Sequence, residues 1–407
     1  MNSFVTPEPL QGGWNRRLLD REILRLAIPA ILQYMLHTVQ FLVDTKMVSA
    51  SVAEDDLSLA ALNLVSPLCW SLTTIFTVTA IGATAIVARR IGENQQLKAA
   101  TATSTALILA LGVGSLVTLL GWFGRAAGID WMEGQVAGGQ AISAEQITQL
   151  ADGYLKWFVL LFPIRALAVT LEATLRGAGS SLLPLLGGVL ANLANILGNA
   201  ALLFGLWGAP KMGLEGVGLA TGLAPLVEVV LILAVMLTRR KGRLSLRIPG
   251  ALRFDVDQAR ETIRHSSPAL GAALLFHSGF VVYQFAILKL DASSMAAHRV
   301  AISIQSMAFL PATGFQSAAA SVCGRLLGAG FVEEAYRSAW RSCVLGLTMV
   351  IPVAAVLFFG SSWLAGIFDV RGETASLAAS CLMIGALEVP FLLVTESLTG
   401  SLRGAGD

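Results

Sequence analysis

PAILQYMLHTVQFLVDT, from Pro29 to Thr45, returns 239 residues later as PALGAALLFHSGFVVYQ, from Pro268 to Gln284. Two further blocks repeat in the same order: ARRIGEN from Ala88 aligns with GRLLGAG from Gly324, and LRGAGS from Leu175 aligns with LRGAGD from Leu402. The offsets are 239, 236 and 227, so the chain consists of two homologous halves. Each half is made of apolar runs of about 20 residues, the length at which a helix crosses the hydrocarbon core of a bilayer. Ten runs are read as spans: 22–46, 58–87, 100–123, 153–175, 181–206, 214–238, 265–289, 295–323, 342–365 and 375–401.

The composition agrees. Of 407 residues, 55% are hydrophobic and only 13% charged, against about 25% charged in an ordinary soluble domain; mean hydropathy is +0.71. A water-soluble enzyme is excluded, because so few ionisable side chains cannot cover its surface. The net charge of +2 gives no electrostatic argument for nucleic acid. Cys69, Cys323, Cys343 and Cys381 sit inside apolar runs without CxxC spacing, which reads as helix packing. The first 21 residues are polar and basic, and the run after them is too long for a signal-peptide core.

Orientation follows from the basic residues. With the N-terminus in the cytoplasm, 20 of the 28 Lys and Arg fall on the cytoplasmic side, seven fall outside, and Arg165 lies within a span. The first half holds six spans, an even number, so both halves start on the same face. The repeat is therefore parallel, about an axis along the membrane normal, which puts a substrate path between two bundles. The expected fold is an all-α integral membrane protein with two helical bundles: a lobe over 1–238, a basic cytoplasmic linker over 239–264 and a second lobe over 265–407. After LRGAG the first half adds two spans and the second adds none, so the pattern anticipates two further helices, roughly 60 residues. The faces that would meet them are expected to carry small residues, among them Gly271, Ala272, Ala318, Ala319 and Ala320.

Ionisable groups inside a membrane are costly and mark function. Gln33, His37, Gln40 and Asp44 fall on one face of the first span, a polar stripe turned from lipid. Asn192, Asn195 and Asn199 share one face of the fifth, and amide oxygens suit either Na+ or a carboxyl partner. The second half offers His277, Gln284 and Glu388 as substrate or proton groups, with Glu396 read as structural. Arg165 and Glu172 are expected to pair with each other, and Glu228 and His298 to be structural. GxSxG, HExxH and DDxxD patterns are lacking, as is a nucleotide-binding P-loop, so neither catalysis nor ATP drive is expected.

Taken in order, LAIPAILQ with FLVDT, IVARRIGE, LRGAGS, NLANILGNAALLFG, GLEGVGLATGLAP, LPATGFQSAAASVCGRLLGAG and LRGAGD resemble the multidrug and toxic compound extrusion (MATE) transporters. The VDT and N-x-x-x-(D/N) elements are most similar to the prokaryotic branch named after the DNA-damage-inducible protein. The resemblance implies twelve helices in two six-helix lobes and a cation-coupled efflux cycle. It points to Asp44 as the ion-coupling carboxylate, in a pocket with Asn195, Asn199 and Thr221 that takes transported Na+ or H+ and needs no cofactor. Family members often carry Asp where this chain has Asn199, so the pocket holds a single carboxylate and the choice of ion stays open. His37, Gln40, Asn192, His277, Gln284 and Glu388 are the expected substrate or proton pathway. Implied partners are small organic cations or drugs and the lipid bilayer, in a monomer of the bacterial inner membrane. The rival within the superfamily, a flippase for lipid-linked saccharides, calls for a strongly cationic cavity; an intramembrane enzyme calls for a catalytic motif.

Overall fold

The computed structural model describes residues 15–51, 57–136, 141–238, 244–288, 292–366 and 372–406. In hydrocarbon every backbone N–H and C=O has to be paired within the segment, which leaves helices as the form available to apolar runs of this length. The helices are α1 (Arg16–Ser51), α2 (Leu57–Thr74), α3 (Thr77–Gly92), α4 (Gln96–Val136), α5 (Ala141–Leu160), α6 (Phe162–Gly177), α7 (Leu182–Phe204), α8 (Leu214–Thr238), α9 (Val256–Leu288), α10 (Ala292–Gly328), α11 (Val332–Phe359), α12 (Ser361–Gly366) and α13 (Gly372–Ala405).

Two expected spans are broken. The second is interrupted at Ile75–Phe76, between α2 and α3; just before the break the Thr73 and Thr74 hydroxyls turn back onto the Trp70 carbonyl, which competes with the helical ladder. The fourth bends by 53° between α5 and α6. Pro163 at the start of α6 causes that bend, since its ring clashes with the carbonyl four residues back. The freed Val159 carbonyl accepts a hydrogen bond from Thr118 of α4 at 2.7 Å, so the break is satisfied inside the bundle.

Among the described residues seven helical segments are long and apolar enough to cross a membrane, or eight with the bent pair taken as one span. This is fewer than the ten expected: α9 and α10, at the seventh and eighth positions, are not among them. For α10 the reason is its place at the centre, where it packs on α1, α3, α11 and α13. Close contact on several sides favours Ala, Ser and Gly over large lipid-facing residues. Ala318, Ala319 and Ala320 are accordingly buried and do not line an open face; a Cβ on Gly404 of α13 would sit 2.2 Å from the Ala320 carbonyl oxygen. Gly271, in contrast, has no neighbour within 4 Å of where its Cβ would be, and Ala272 is exposed.

The duplicated blocks touch one another reciprocally. A Cβ on Gly92 would lie 2.1 Å from the Arg325 carbonyl oxygen, and a Cβ on Gly328 would lie 2.2 Å from that of Arg89. Gly92 and Gly328 are repeat equivalents, as are Arg89 and Arg325. Ala88 meets Gly324, its own equivalent. Residue i touching j′ while j touches i′ is the contact pattern of a twofold axis, and it places the two blocks at the same end of the molecule. Within each half the pattern repeats again: Gly177 packs on the Thr84 carbonyl as Gly404 packs on that of Ala320.

The same basic end carries ion pairs between the halves. Glu22 accepts from Arg325 at 2.8 Å, both side chains buried; Asp20 takes a two-pronged bond from Arg341 at 2.7 and 2.5 Å; Arg90 approaches Glu261 at 3.6 Å. One apolar cluster joins Leu19, Ile23, Ala27 and Ile31 of α1 to Phe315 and Val322 of α10. Helix α1 is thus shared. Its stretch before Ile31 packs on the second half, the stretch after it packs on α7, and Pro29 falls inside the helix close to the change.

Candidate functional site

The first site lies where α1, α7 and α8 meet. α7 and α8 form an antiparallel pair, reversed after Gly205, whose φ of +74° is a left-handed turn that glycine adopts without strain. Gly198 approaches Ala220 closely, so that a Cβ there would be 2.9 Å from the alanine methyl. That contact brings the amide face of α7 against Thr221. Asn195 and Asn199, one helical turn apart, are fully buried, and Asp44 of α1 is 6% exposed.

Asn199 Nδ2 donates to Asp44 Oδ1 at 2.6 Å and lies 3.4 Å from Asn195 Oδ1. Asn195 Nδ2 donates to Thr221 Oγ1 at 3.2 Å. The four residues expected in one pocket are therefore in contact. Tyr154 of α5 packs on α8 three residues before Thr221, where a Cβ on Gly218 would lie 2.6 Å from its carbonyl oxygen, a neighbour the sequence reading missed; the only sequence signal was its fall near the start of an apolar run. Among the described residues Asp44 has no ion-pair partner within 4 Å, and the Asn199 Oδ1 acceptor is buried with no donor. A buried carboxylate without a counter-ion is costly. Binding a monovalent cation or a proton relieves it, and the neighbouring oxygens are hard ligands of the type alkali cations take.

Further along α1, a cavity among α1, α6, α7 and α8 is lined by His37, Gln40, Arg165, Glu172, Asn192 and Glu228 together with small apolar residues. Three of the expected pathway residues meet here: His37, Gln40 and Asn192. The pairing expected of Arg165 with Glu172 is corrected. Glu172 accepts instead from Arg176 Nη1 at 3.1 Å, and the same nitrogen donates to Gln33 Oε1 at 3.0 Å. The Glu172–Arg176 spacing of four residues puts the two on one helical face, whereas the Arg165 Nε is buried without an acceptor. Glu228, expected to be a satisfied structural residue, is 3% exposed with its Oε1 unpartnered.

Among the described residues, His277 and Glu388 of the second half line neither site. His277 Nε2 and the Thr74 hydroxyl share a hydrogen bond at 2.7 Å, and the imidazole stands edge-on to Trp70, so it contributes to a contact between the halves. Glu388 is exposed and accepts from Gln305 Nε2 at 3.0 Å. Gln316 donates to Glu396. The side chain of Gln284 and the acidic run Glu54–Asp56 lie outside the described residues.

Comparison with known proteins adds the family. The MatE family profile matches residues 29–201 and 268–407. A probable multidrug resistance protein NorM of Thermotoga maritima is 23% identical over 397 residues, covering 96% of this chain and 81% of that protein. Multidrug resistance protein PmpM of Pseudomonas aeruginosa is 27% identical over 403 residues, covering 98% and 81%. Among solved structures, a MATE protein in complex with MaD5 superposes with a TM-score of 0.80 at 20% identity, covering 98% of this chain and 87% of that one. An outward-facing multidrug resistance MATE transporter gives 0.79 at 21%, covering 95% and 83%. These likenesses establish the fold that the reciprocal glycine contacts describe. With a profile that covers most of both halves, this chain belongs to the MatE family and is a membrane transporter, not an enzyme.

Proposed function

We propose that this transporter is a secondary antiporter that extrudes organic cationic or amphipathic compounds in exchange for Na+ or H+ loaded at Asp44, Asn195, Asn199 and Thr221. The observation that carries the reading is Asp44 itself, a buried carboxylate with no ion-pair partner among the described residues, set against amide and hydroxyl oxygens of which Asn199 Oδ1 lacks a donor. The multidrug resistance names of NorM and PmpM support the substrate class. The excess of basic residues on one side supports a bacterial inner-membrane protein with a cytoplasmic N-terminus, acting as a monomer.

Helix α1 supplies the coupling route. The stretch of α1 that holds Asp44 packs on α7, and the stretch before Ile31 packs on the second half. A cation that neutralises Asp44 changes what α1 gains by packing on α7, and that difference biases contacts at the basic end; only such differential binding shifts a two-state equilibrium. Against the flippase reading, the α1–α6–α7–α8 cavity is lined by the carboxyl groups of Glu172 and Glu228 as well as by Arg165, so it is mixed in sign and does not present the basic surface a pyrophosphate needs.

The test is dye accumulation by inside-out vesicles holding the full-length protein, energised in turn by a Na+ gradient and by a pH gradient. One of the two gradients is expected to drive a cationic dye uphill, which also identifies the ion. Uphill movement that needs ATP, or none under either gradient, would reject antiport.

A further inference from the structure

The cavity bounded by α1, α6, α7 and α8 holds a second arrangement of charge, separate from the Asp44 pocket. Glu172 of α6 and Glu228 of α8, two helices packed on each other, line this cavity together, and their carboxyl groups come within hydrogen-bonding reach there. Both are buried, at 5% and 3% exposed. Two carboxylates cannot hydrogen-bond without a proton between them, and side by side out of water they do not both ionise.

The surrounding charges decide the count. From α6, Arg176 gives its Nη1 to Glu172 and Gln33 and lies over the Tyr34 ring, 5.8 Å from its centroid. Also from α6, Arg165 lines the cavity but makes no ion pair within 4 Å among the described residues, and its Nε has no acceptor. From α1, His37 faces the cavity with Nδ1 unpartnered, and α7 presents the neutral Asn192. One guanidinium therefore contacts the pair, through Glu172. Glu228 Oε1 has neither a donor nor a counter-ion in contact.

We propose that Glu172 and Glu228 together form a proton-binding site of the first half, holding one proton between them, distinct from the Asp44 pocket and closer to the basic end. His37 stands seven residues before Asp44 on α1, about 10 Å along the helix axis, so the polar stripe of α1 runs from one site to the other. The pair's role in transport rests on the antiport reading, in which it carries a second protonatable unit through the cycle. Its existence does not.

The experiment is infrared absorption of the full chain in liposomes at neutral pH, reading the C=O band of protonated carboxyl groups with neither gradient nor substrate. To remove any contribution of Asp44, the comparison runs in Asp44→Asn, against the same protein carrying Glu228→Gln or Glu172→Gln as well. The near-isosteric amides keep the fold, which the helical amide band of each sample checks. The Asp44→Asn protein is expected to show a protonated-carboxyl band that loses one group with Glu228→Gln, which leaves Glu172 ionised beside Arg176, and that keeps its size but shifts in frequency with Glu172→Gln, which leaves Glu228 protonated with an amide in place of its carboxylate acceptor. A spectrum unchanged in either double variant, or no protonated-carboxyl band in Asp44→Asn, overturns the proposal. Failure of dye efflux in the wild type, with the band behaving as expected, would reject antiport and leave the site standing.

Discussion

Asp44→Asn is expected to leave the protein folded and to reduce gradient-driven efflux to the rate seen without a gradient. Asparagine is close to aspartate in shape and keeps a hydrogen-bonding contact with Asn199, but it neither takes up a proton nor balances a cation. What is lost is the coupling free energy between cation and substrate, for which 1–3 kcal/mol, about 5–150-fold, is usual. Efflux by reconstituted protein at matched incorporation, with the gradient on and off, reads this ratio directly. A variant that still responds to the gradient as the wild type does removes Asp44 from the mechanism.

How much of this was legible in the sequence differs between fold and site. The repeat blocks announced the parallel arrangement because they are the surfaces where the halves touch: Gly92, Gly328, Ala88 and Gly324 are small where backbones approach closely, and residues under that constraint keep their pattern in both copies. The polar faces of α1 and α7 were legible for a related reason, since polar side chains at helical spacing in an apolar run have to face protein; that they meet in one pocket with Thr221 was what the MATE resemblance implied. The breaks at Ile75–Phe76 and Leu161 were not legible, because hydropathy averages over a window longer than the bend; Pro163 was the one local sign of the second. Contacts between distant helices were the least accessible. The meeting of Glu172 with Glu228 and the place of Tyr154 against α8 depend on how α5, α6 and α8 pack, whereas the choice of Arg176 over Arg165 by Glu172 is local to α6, a four-residue spacing against a seven-residue one. Glu388 keeps its place inside an apolar run and is exposed on α13 beside Gln305.

The second large effect is expected at the basic end. Glu22→Ala removes the carboxylate that contacts Arg325 at 2.8 Å, with both side chains buried. A buried charge left without its partner costs about 3–5 kcal/mol, and that cost falls only on the arrangement in which α1 meets α10. The population should move away from it by roughly two to four powers of ten. Replacing both residues by methionine should restore much of the balance, because well-packed apolar side chains substitute for a buried ion pair at little cost. Distances between spin labels at the basic ends of α3 and α10 report the change: a longer distance in Glu22→Ala and a return toward the wild-type value in the double methionine variant. Identical distributions in all three proteins would show that the Glu22–Arg325 contact does not hold the halves together.

In this mechanism substrate and cation act on one equilibrium through Asp44. Its most direct measurement is the affinity of the purified full-length protein for a cationic fluorescent dye, titrated at increasing Na+ and, separately, at decreasing pH, for wild type and Asp44→Asn. One of these cations is expected to weaken dye binding to the wild type, the dye to weaken binding of that cation by the same factor, and Asp44→Asn to show neither effect. Dye affinity indifferent to both cations, or the same cation dependence in Asp44→Asn as in the wild type, would contradict it.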